Sequence, residues 1–336
     1  MVEHGVSYPR DSHFSDKCIK HIYMADFKFR ESGLDAQLTK QVGDDILRLD
    51  WTHGAAARCG RKNLLNIMDG AGNILLTKLT HSAEPFSAKY YIHDLLQRGV
   101  EPKLAYVDKD CCGAWASVLK TAWPNIHIRL DSMHAIKRLT QTTTSTQHPL
   151  HGSFCAELSK SIFSADATIL QRLRKAWSQQ HGVKKKLPKS VERKIVPRCV
   201  RESAAIVASV EQVLSTFAQL PNTAGGLLTE ATKEAWQNLK THVLNGCLQD
   251  PPAMNMYVRD HEITIGGEKF HALRSLRGTS HVEGLHAHQK QWLGIFAHHT
   301  TEVGEALLKD GACRWNRDKL KRTSVDADAD GANSDR

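Results

Sequence analysis

The sequence lacks several patterns that define common protein classes. None of its 336 residues lies in an apolar run of about 18 residues, so no membrane span is expected. The first stretch, "MVEHGVSYPRDSHF", carries charges and no apolar segment, so a secretory signal is not expected either. No internal repeat is visible. These absences favour an intracellular protein that makes no contact with a membrane.

Paired cysteine motifs are also missing. The chain has eight cysteines, but none forms a C-x-x-C pair, so zinc-finger and zinc-ribbon folds receive no support. Cys111 and Cys112 are adjacent, and adjacent cysteines rarely bridge each other. All eight side chains are therefore expected to be reduced thiols.

What the sequence does contain is a large apolar fraction and an excess of positive charge. Hydrophobic residues make up 41% of the chain, which is enough for one large core or two smaller ones. The formal net charge of +9 favours polyanionic partners such as nucleic acid. The most basic stretch is "KKKLPKSVERK", residues 184–194. Two interpretations of it stay open, a solvated loop and a segment that contacts phosphates or directs nuclear import.

Apolar runs and turn residues predict alternating strands and helices in the first half of the chain. The predicted strands are 46–51, 63–68, 73–79, 103–108 and 126–131, and the predicted helices are 85–99, 113–124 and 132–139. Asp69-Gly70 predicts a hairpin between the second and third strands. Helical crossovers give parallel pairing, so the fourth strand is expected on the free side of the first.

Changes in pattern divide the chain into five segments. The predicted segments are a partly disordered lead-in at 1–43 with a short helix near 36–41, a core at 44–141, an all-helical insertion at 142–272, the last part of the core at 273–318, and a disordered tail at 319–336.

Two predicted strands run directly into a carboxylate. The first ends at Asp50 and the fourth at Asp108. If these strands are parallel neighbours, both carboxylates emerge at the same end of the sheet, where ligands bind in open α/β folds. Two like charges repel each other, and a divalent cation such as Mg²⁺ or Mn²⁺ would offset them. Asp110 remains an alternative to Asp108 as the second ligand.

A third carboxylate follows the helical block, in "SLRGTSHVEGLHAHQKQWLGIF". Ser280 is a candidate N-cap, and Glu283 lies at the third helical position after it. Glu283 is therefore either a capping-box residue or a third metal ligand that a helix brings back to the sheet.

The order of these motifs resembles the ribonuclease-H-like DDE transposases, in particular Mutator-like and related eukaryotic transposon-derived proteins. "ILRLDWTH" is similar to their first-Asp strand, and "KLAYVDKDCCGAWASVLKTAWPNIHIRLDSMHAIKRL" is similar to the region from their second-Asp strand to a Cys/Asp-x-x-His motif. "LRGTSHVEGLHAHQKQWL" resembles the helix with the last carboxylate. The resemblance implies a ribonuclease-H-like α/β fold with a five-stranded mixed sheet flanked by helices, interrupted by a helical insertion before the last catalytic helix.

The resemblance also implies a site and a reaction. Asp50 would bridge two Mg²⁺ or Mn²⁺ ions, and Asp108 and Glu283 would each hold one side. The implied reaction is metal-dependent cleavage and transfer of DNA strands in the nucleus. Asp131, His134 and His286 would support the site, although Asp131 could instead cap a helix and His286 could be a surface residue.

The resemblance implies DNA as the partner. If the element is mobile, the protein would bind the ends of the transposon. A homodimer is a further expectation. The candidate DNA contacts are Lys109, Lys137, Arg138, Lys184, Lys185, Lys186, Arg277, Lys290 and Arg314. Family members usually carry a separate N-terminal DNA-binding module, and residues 1–43 show no such ligand spacing. A catalytically silent, domesticated DNA- or protein-binding module therefore stays open as the alternative function.

Overall fold

A computed structural model describes residues 14–220 and 225–331, with side chains described through residue 321. The strands are β1 Ile46–Thr52, β2 Asn63–Asp69, β3 Ile74–Thr80, β4 Leu104–Val107, β5 His127–Leu130, β6 Phe163–Ala165, β7 Arg198–Val200, β8 Tyr257–Ile265 and β9 Glu268–Ser275. The helices are α1 Asp16–Thr39, α2 Lys89–Gln97, α3 Ala114–Ala122, α4 Ser132–Thr140, α5 His151–Ile162, α6 Ala167–His181, α7 Lys189–Ile195, α8 Ser203–Gln219, α9 Glu230–Leu244, α10 Ser280–Trp292 and α11 Thr301–Gly331.

Five strands form one mixed sheet in the order β3-β2-β1-β4-β5, flanked by helices. β2 and β3 pair antiparallel, whereas β4 pairs parallel with both β1 and β5. The register joins Ile46 to Leu104 and Arg48 to Tyr106. The predicted hairpin and the predicted position of the fourth strand beside the first are confirmed, and no strand end differs from its predicted position by more than one residue.

Contacts divide the chain into two compact units. The described residues of the first unit are 14–44, 49–101 and 280–331, and those of the second are 45–48, 102–220 and 225–279.

The core of the first unit lies where helices α10 and α11 pack on the hairpin β2–β3. Met68 and Ile74 of the hairpin contact Val282 and Leu285 of α10 and Ala312 of α11. β2 is buried at every position, and four of its seven residues are apolar. The two helices thereby acquire a fixed position on the strands.

The outer strand β3 is covered by polar side chains of α11. Asn316 accepts a hydrogen bond from the Ile74 amide at 2.7 Å and donates one to the Ile74 carbonyl at 2.9 Å. Glu305 accepts from the Leu79 amide at 2.8 Å. These side chains take the place of a neighbouring strand, so the backbone of this sheet edge is satisfied from within the unit.

In the second unit, β4 is buried at every position, and Leu104 and Tyr106 pack with Ile46 and Met256. A separate cluster joins α6 and α7 to the hairpin β8–β9, with Leu173, Ile195 and Phe270 among its buried members. Helix α8 contacts both α5 and α9.

The segment 142–272 is not all-helical, and this corrects the sequence prediction. Helices α5 to α9 are accompanied by two antiparallel hairpins, β6–β7 and β8–β9. Most residues of β8 are exposed or half-buried, so the strand lacks the alternation of apolar and polar residues that would reveal it in a sequence.

The ends of the chain contain more helix than the sequence predicts. α1 extends over 24 residues rather than the short stretch near 36–41, because Phe27 and Leu34 pack against Ala306 and Cys313 of α11. The backbone of α11 is helical as far as Gly331, beyond residue 319 where a disordered tail is predicted. The disorder predicted for residues 1–13 and 332–336 lies outside the described residues. Within the part of the chain that the structure describes, no helix is both long and apolar enough for a membrane span.

A buried amide network fixes α10 on the strands. Asn66 and Gln289, both fully buried, exchange two hydrogen bonds of 3.0 and 2.6 Å. The Gln289 amide also donates to the Thr77 hydroxyl at 3.0 Å. Because a buried amide must find partners, only one rotation and one height of α10 on β2 and β3 satisfy all three side chains.

We expect Gln289→Ala to lower the free energy of unfolding by about 1–3 kcal/mol, because the Asn66 amide would stay buried without its partner. Urea denaturation followed by circular dichroism measures the change. The matched control is Gln291→Ala, which removes an exposed glutamine from the same helix and should cost less than about 0.5 kcal/mol. Equal losses in the two variants would contradict this role of Gln289.

Candidate functional site

Asp50 is a buried carboxylate near the carboxyl end of β1. Its strand is buried at every position before Thr52, and the residue itself is only 5% exposed. The His286 ring of α10 lies beside it, with Nδ1 4.0 Å from the Asp50 Oδ2. A buried carboxylate needs a cation or hydrogen-bond donors nearby, and an imidazole ring can supply either.

Glu283 lies one helical turn before His286. Helix α10 begins at Ser280, so Glu283 lies in its first turn. The Glu283 side chain is exposed. Residues three apart on a helix point to the same side, which places Glu283 and His286 on one face. Gln289 lies one further turn along α10, and its hydrogen bonds to Asn66 and Thr77 fix the rotation of the helix on the strands.

Asp131 of the second unit lies at the start of α4 and is almost completely buried. Its Oδ1 accepts from the backbone amides of Met133 and His134, at 2.6 and 3.3 Å, as an N-cap does. Its Oδ2 accepts from the Thr279 amide and the Thr279 hydroxyl, both at 2.5 Å. The sequence alternative of a capping role for Asp131 is therefore observed, together with a second role as the anchor of Thr279.

The environment of Asp131 favours its charged form. Burial by itself would raise the pKa of the carboxyl, but hydrogen bonds from His134 and Thr279 outweigh burial and lower the pKa to about 2. The His134 Nδ1 lies 3.4 Å from the Asp131 Oδ2. The predicted pair of Asp131 and His134 is thus close in space.

The segment that leads into α10 is held from two sides. Arg48 is buried and donates to the carbonyls of Gly278, at 2.9 Å, and Leu276, at 3.1 Å. Gly278 has φ +76°, and a Cβ at this position would lie 3.0 Å from the Asp131 Oδ2. Only glycine combines this backbone angle with this close approach.

Asp108 and Asp110 have different surroundings after β4. Asp108 is half-buried, and its carbonyl oxygen accepts a hydrogen bond from Arg138. Asp110 is exposed and has φ +54°, and its carbonyl accepts from the amides of Gly113 and Trp115. Asp110 is therefore a turn residue.

The predicted DNA contacts fall into two groups. The exposed ones are Lys109, Lys137, Lys184, Lys185, Lys186, Lys290 and Arg314. Arg277 instead forms a two-point ion pair with Asp250, at 2.7 and 2.6 Å, and its guanidinium lies 4.9 Å from the Tyr257 ring centre. Like Arg138, it is engaged inside the second unit.

A group of metal-binding side chain types was missed by the sequence analysis. Cys111, Cys112, His242 and Cys247 offer ligand atoms that all lie within 4.8 Å of one another. The two cysteine positions and the histidine are about 130 residues apart in the chain, so no local spacing motif reveals them. The expectation that the cysteines are free thiols agrees with the structure, and the missing C-x-x-C spacing, which removed support for zinc-finger and zinc-ribbon folds, does not bear on this long-range cluster.

The low pKa of Asp131 predicts a loss of stability in acid. Because its pKa is lowered from the ordinary 3.8 to about 2, its contribution is complete above pH 4 and disappears as the pH falls through 2. The full contribution corresponds to about 2 kcal/mol. We expect Asp131→Asn to be destabilised relative to the parent protein at pH 6, and the difference to shrink towards pH 2.5.

Urea denaturation over this pH range measures the difference. Asp166→Asn is the control, because Asp166 caps α6 through the Ile169 amide but is exposed. A difference between Asp131→Asn and the parent that is constant with pH would contradict the assignment.

The sequence has no match among known protein families or curated proteins that would assign a role to these residues. The chain matches no model of a known protein family, and no curated protein matches its sequence.

Proposed function

We propose that this chain is a metal-dependent nuclease and strand transferase acting on DNA, of the ribonuclease-H-like DDE kind that its motifs resemble. Asp50, Asp108 and Glu283 are the proposed metal ligands. The observation that carries the proposal is the buried Asp50 near the carboxyl end of the central strand β1, with β4 as its parallel neighbour.

The strand register supports the choice of the first two ligands. Arg48 of β1 is paired with Tyr106 of β4, and the strands run in the same direction. Asp50 follows Arg48 by two positions, and Asp108 follows Tyr106 by two positions. Residues at equal distances beyond a parallel pair leave the sheet at the same end, where α/β proteins bind their ligands. The role of Asp110 in a turn favours Asp108 over it.

The chemistry of the donor set fits Mg²⁺ or Mn²⁺. All three proposed ligands offer carboxylate oxygens, which these hard cations prefer. When bound, two such ions would activate a water molecule or a DNA 3′-hydroxyl and stabilise the oxygen that leaves phosphorus.

His286 and Asp131 are proposed as positioning residues. His286 lies 4.0 Å from Asp50 and can orient the carboxylate through a ring nitrogen. Asp131 holds Thr279, the residue directly before α10, and α10 carries Glu283.

We expect Asp50→Asn, Asp108→Asn and Glu283→Gln each to reduce DNA nicking by more than about 100-fold, since even the partners of metal ligands are typically worth 10- to 100-fold. The substrate is supercoiled plasmid with Mg²⁺ or Mn²⁺, and gel electrophoresis measures the nicked product. Each change removes a charge while keeping the size of the side chain.

Two control variants test whether the loss of nicking is specific to the proposed ligands. Asp110→Asn tests the alternative ligand, and Asp45→Asn changes an exposed carboxylate paired with Lys103 at 3.0 Å. Both variants should cut like the parent protein. If the parent binds DNA without cutting it under any metal condition, the alternative of a silent binding module replaces the proposal.

The lysines between α6 and α7 are the proposed phosphate contacts. Lys184, Lys185 and Lys186 are exposed and adjacent to Val183, which is 89% exposed. Three adjacent ammonium groups on a protruding loop suit a polyanion and would make binding dependent on salt.

Changing these three lysines to glutamine should weaken DNA binding and reduce the slope of log K against log salt by up to about 2.7, if each contacts one phosphate. Fluorescence anisotropy over a salt series measures both quantities. The matched control changes three lysines that are held in ion pairs, Lys233, Lys240 and Lys269. Equal changes of slope in the two triple variants would show that only net charge matters.

A further inference from the structure

We infer that Cys111, Cys112, His242 and Cys247 form a structural Zn²⁺ site, separate from the proposed nuclease site. All four residues belong to the second unit. The inference does not depend on the proposed function, because it concerns the stability of the fold and is tested without DNA.

The distances between the side chains match those of a tetrahedral zinc site. The Sγ atoms of Cys111 and Cys112 each lie 3.3 Å from the Nδ1 of His242. All four ligand atoms lie within 4.8 Å of one another. Zinc–sulfur bonds of about 2.3 Å and zinc–nitrogen bonds of about 2.0 Å place tetrahedral ligand atoms about 3.5–3.8 Å apart. Small side-chain movements therefore suffice to surround an ion.

Two tight turns present the ligands. The chain turns at Asp110, whose φ is +54° and whose carbonyl accepts from the Gly113 amide, and this directs the two cysteines between them to one side. At the end of α9, Gly246 has φ +70°, and the Cys247 amide donates to the His242 carbonyl at 2.9 Å. The second turn returns Cys247 to the side of α9 that carries His242.

The type of ligand identifies the metal and its role. Three thiolates and one imidazole are a complete ligand set for Zn²⁺, and a closed set of four protein ligands is characteristic of structural rather than catalytic zinc. Cys111 and Cys247 are buried, whereas Cys112 is exposed. The cluster lies at a surface cleft that Lys120 and Arg129 also line, which gives an ion a path to the ligands.

A zinc ion here would connect three elements of the second unit. Cys111 and Cys112 lie in the turn after β4, and His242 lies on α9. The Cys247 carbonyl accepts from the Leu130 amide at the end of β5, at 2.8 Å. The ion would thus join the ends of two neighbouring strands to α9, and its ligand Cys111 is three residues from Asp108.

The first experiment measures zinc in the purified full-length chain by inductively coupled plasma mass spectrometry. We expect one zinc per chain in the parent protein, and at least a tenfold lower content in Cys112→Ser, His242→Gln and Cys247→Ser. Cys199→Ser is the matched control, because Cys199 is an exposed thiol outside the cluster. Cys112→His should restore zinc, since it supplies another zinc ligand at the exposed position.

The second experiment removes the metal with a chelator and adds Co²⁺ to the metal-free protein. A thiolate-to-cobalt charge-transfer band and the intense visible bands of tetrahedral Co²⁺ should appear in the parent and in Cys199→Ser, and not in Cys112→Ser. Zinc should raise the melting temperature of the parent by several degrees and leave that of Cys112→Ser unchanged.

Three results would overturn the inference. They are a purified parent protein that neither contains zinc nor binds Co²⁺, an equal zinc content in the parent and all cluster variants, and a disulfide between Cys111 and Cys247 that resists added reductant and replaces metal binding. Loss of nicking activity with retained zinc would affect only the proposed function, so the failures of the two proposals are distinguishable.

Discussion

The hydrogen bonds that converge on the buried Asp131 carboxylate are the constraint on which the conformation of residues 276–279 depends. One oxygen caps α4 and the other binds Thr279, 148 positions later in the chain. An anion can remain buried because both oxygens accept from fixed donors, and the same donors hold its pKa low. The chain directly before α10 consequently has one conformation, which Gly278 permits and Arg48 reinforces.

A second buried polar network performs the corresponding task in the first unit. Gln289 satisfies Asn66 and Thr77, and the apolar residues around it would tolerate several rotations of α10. Apolar packing is not directional, whereas amide hydrogen bonds are. The network therefore selects the rotation that places His286 beside Asp50. In each unit, a buried polar side chain fixes a segment of the chain through directional hydrogen bonds.

The strands of the sheet could be predicted from sequence because each is recognisable from its own residues and the turn residues next to it. β4 is a continuous apolar run, β1 and β2 are rich in buried apolar residues, and Asp69-Gly70 marks the hairpin. α1 and the hairpin β8–β9 were harder to predict, because only Phe27 and Leu34 of α1 are buried and most of β8 is exposed. Neither element has the apolar periodicity from which a sequence reveals its secondary structure.

The candidate residues show the same division. Asp50 and Asp108 were proposed because each lies at the end of a predicted strand, and the structure places His286 beside Asp50. The partnership of Asp131 with Thr279 and the cysteine–histidine cluster depend on contacts across more than 100 positions. Such contacts arise from tertiary packing, and one sequence contains no spacing rule that identifies them.

Because α11 covers β3, it affects how readily the protein aggregates. Asn316 and Glu305 occupy backbone groups that another chain could otherwise bind as an added strand. When this helix detaches, even briefly, the exposed rim becomes a template for intermolecular strand pairing. Self-association through β3 is thus suppressed only as long as the last helix stays docked.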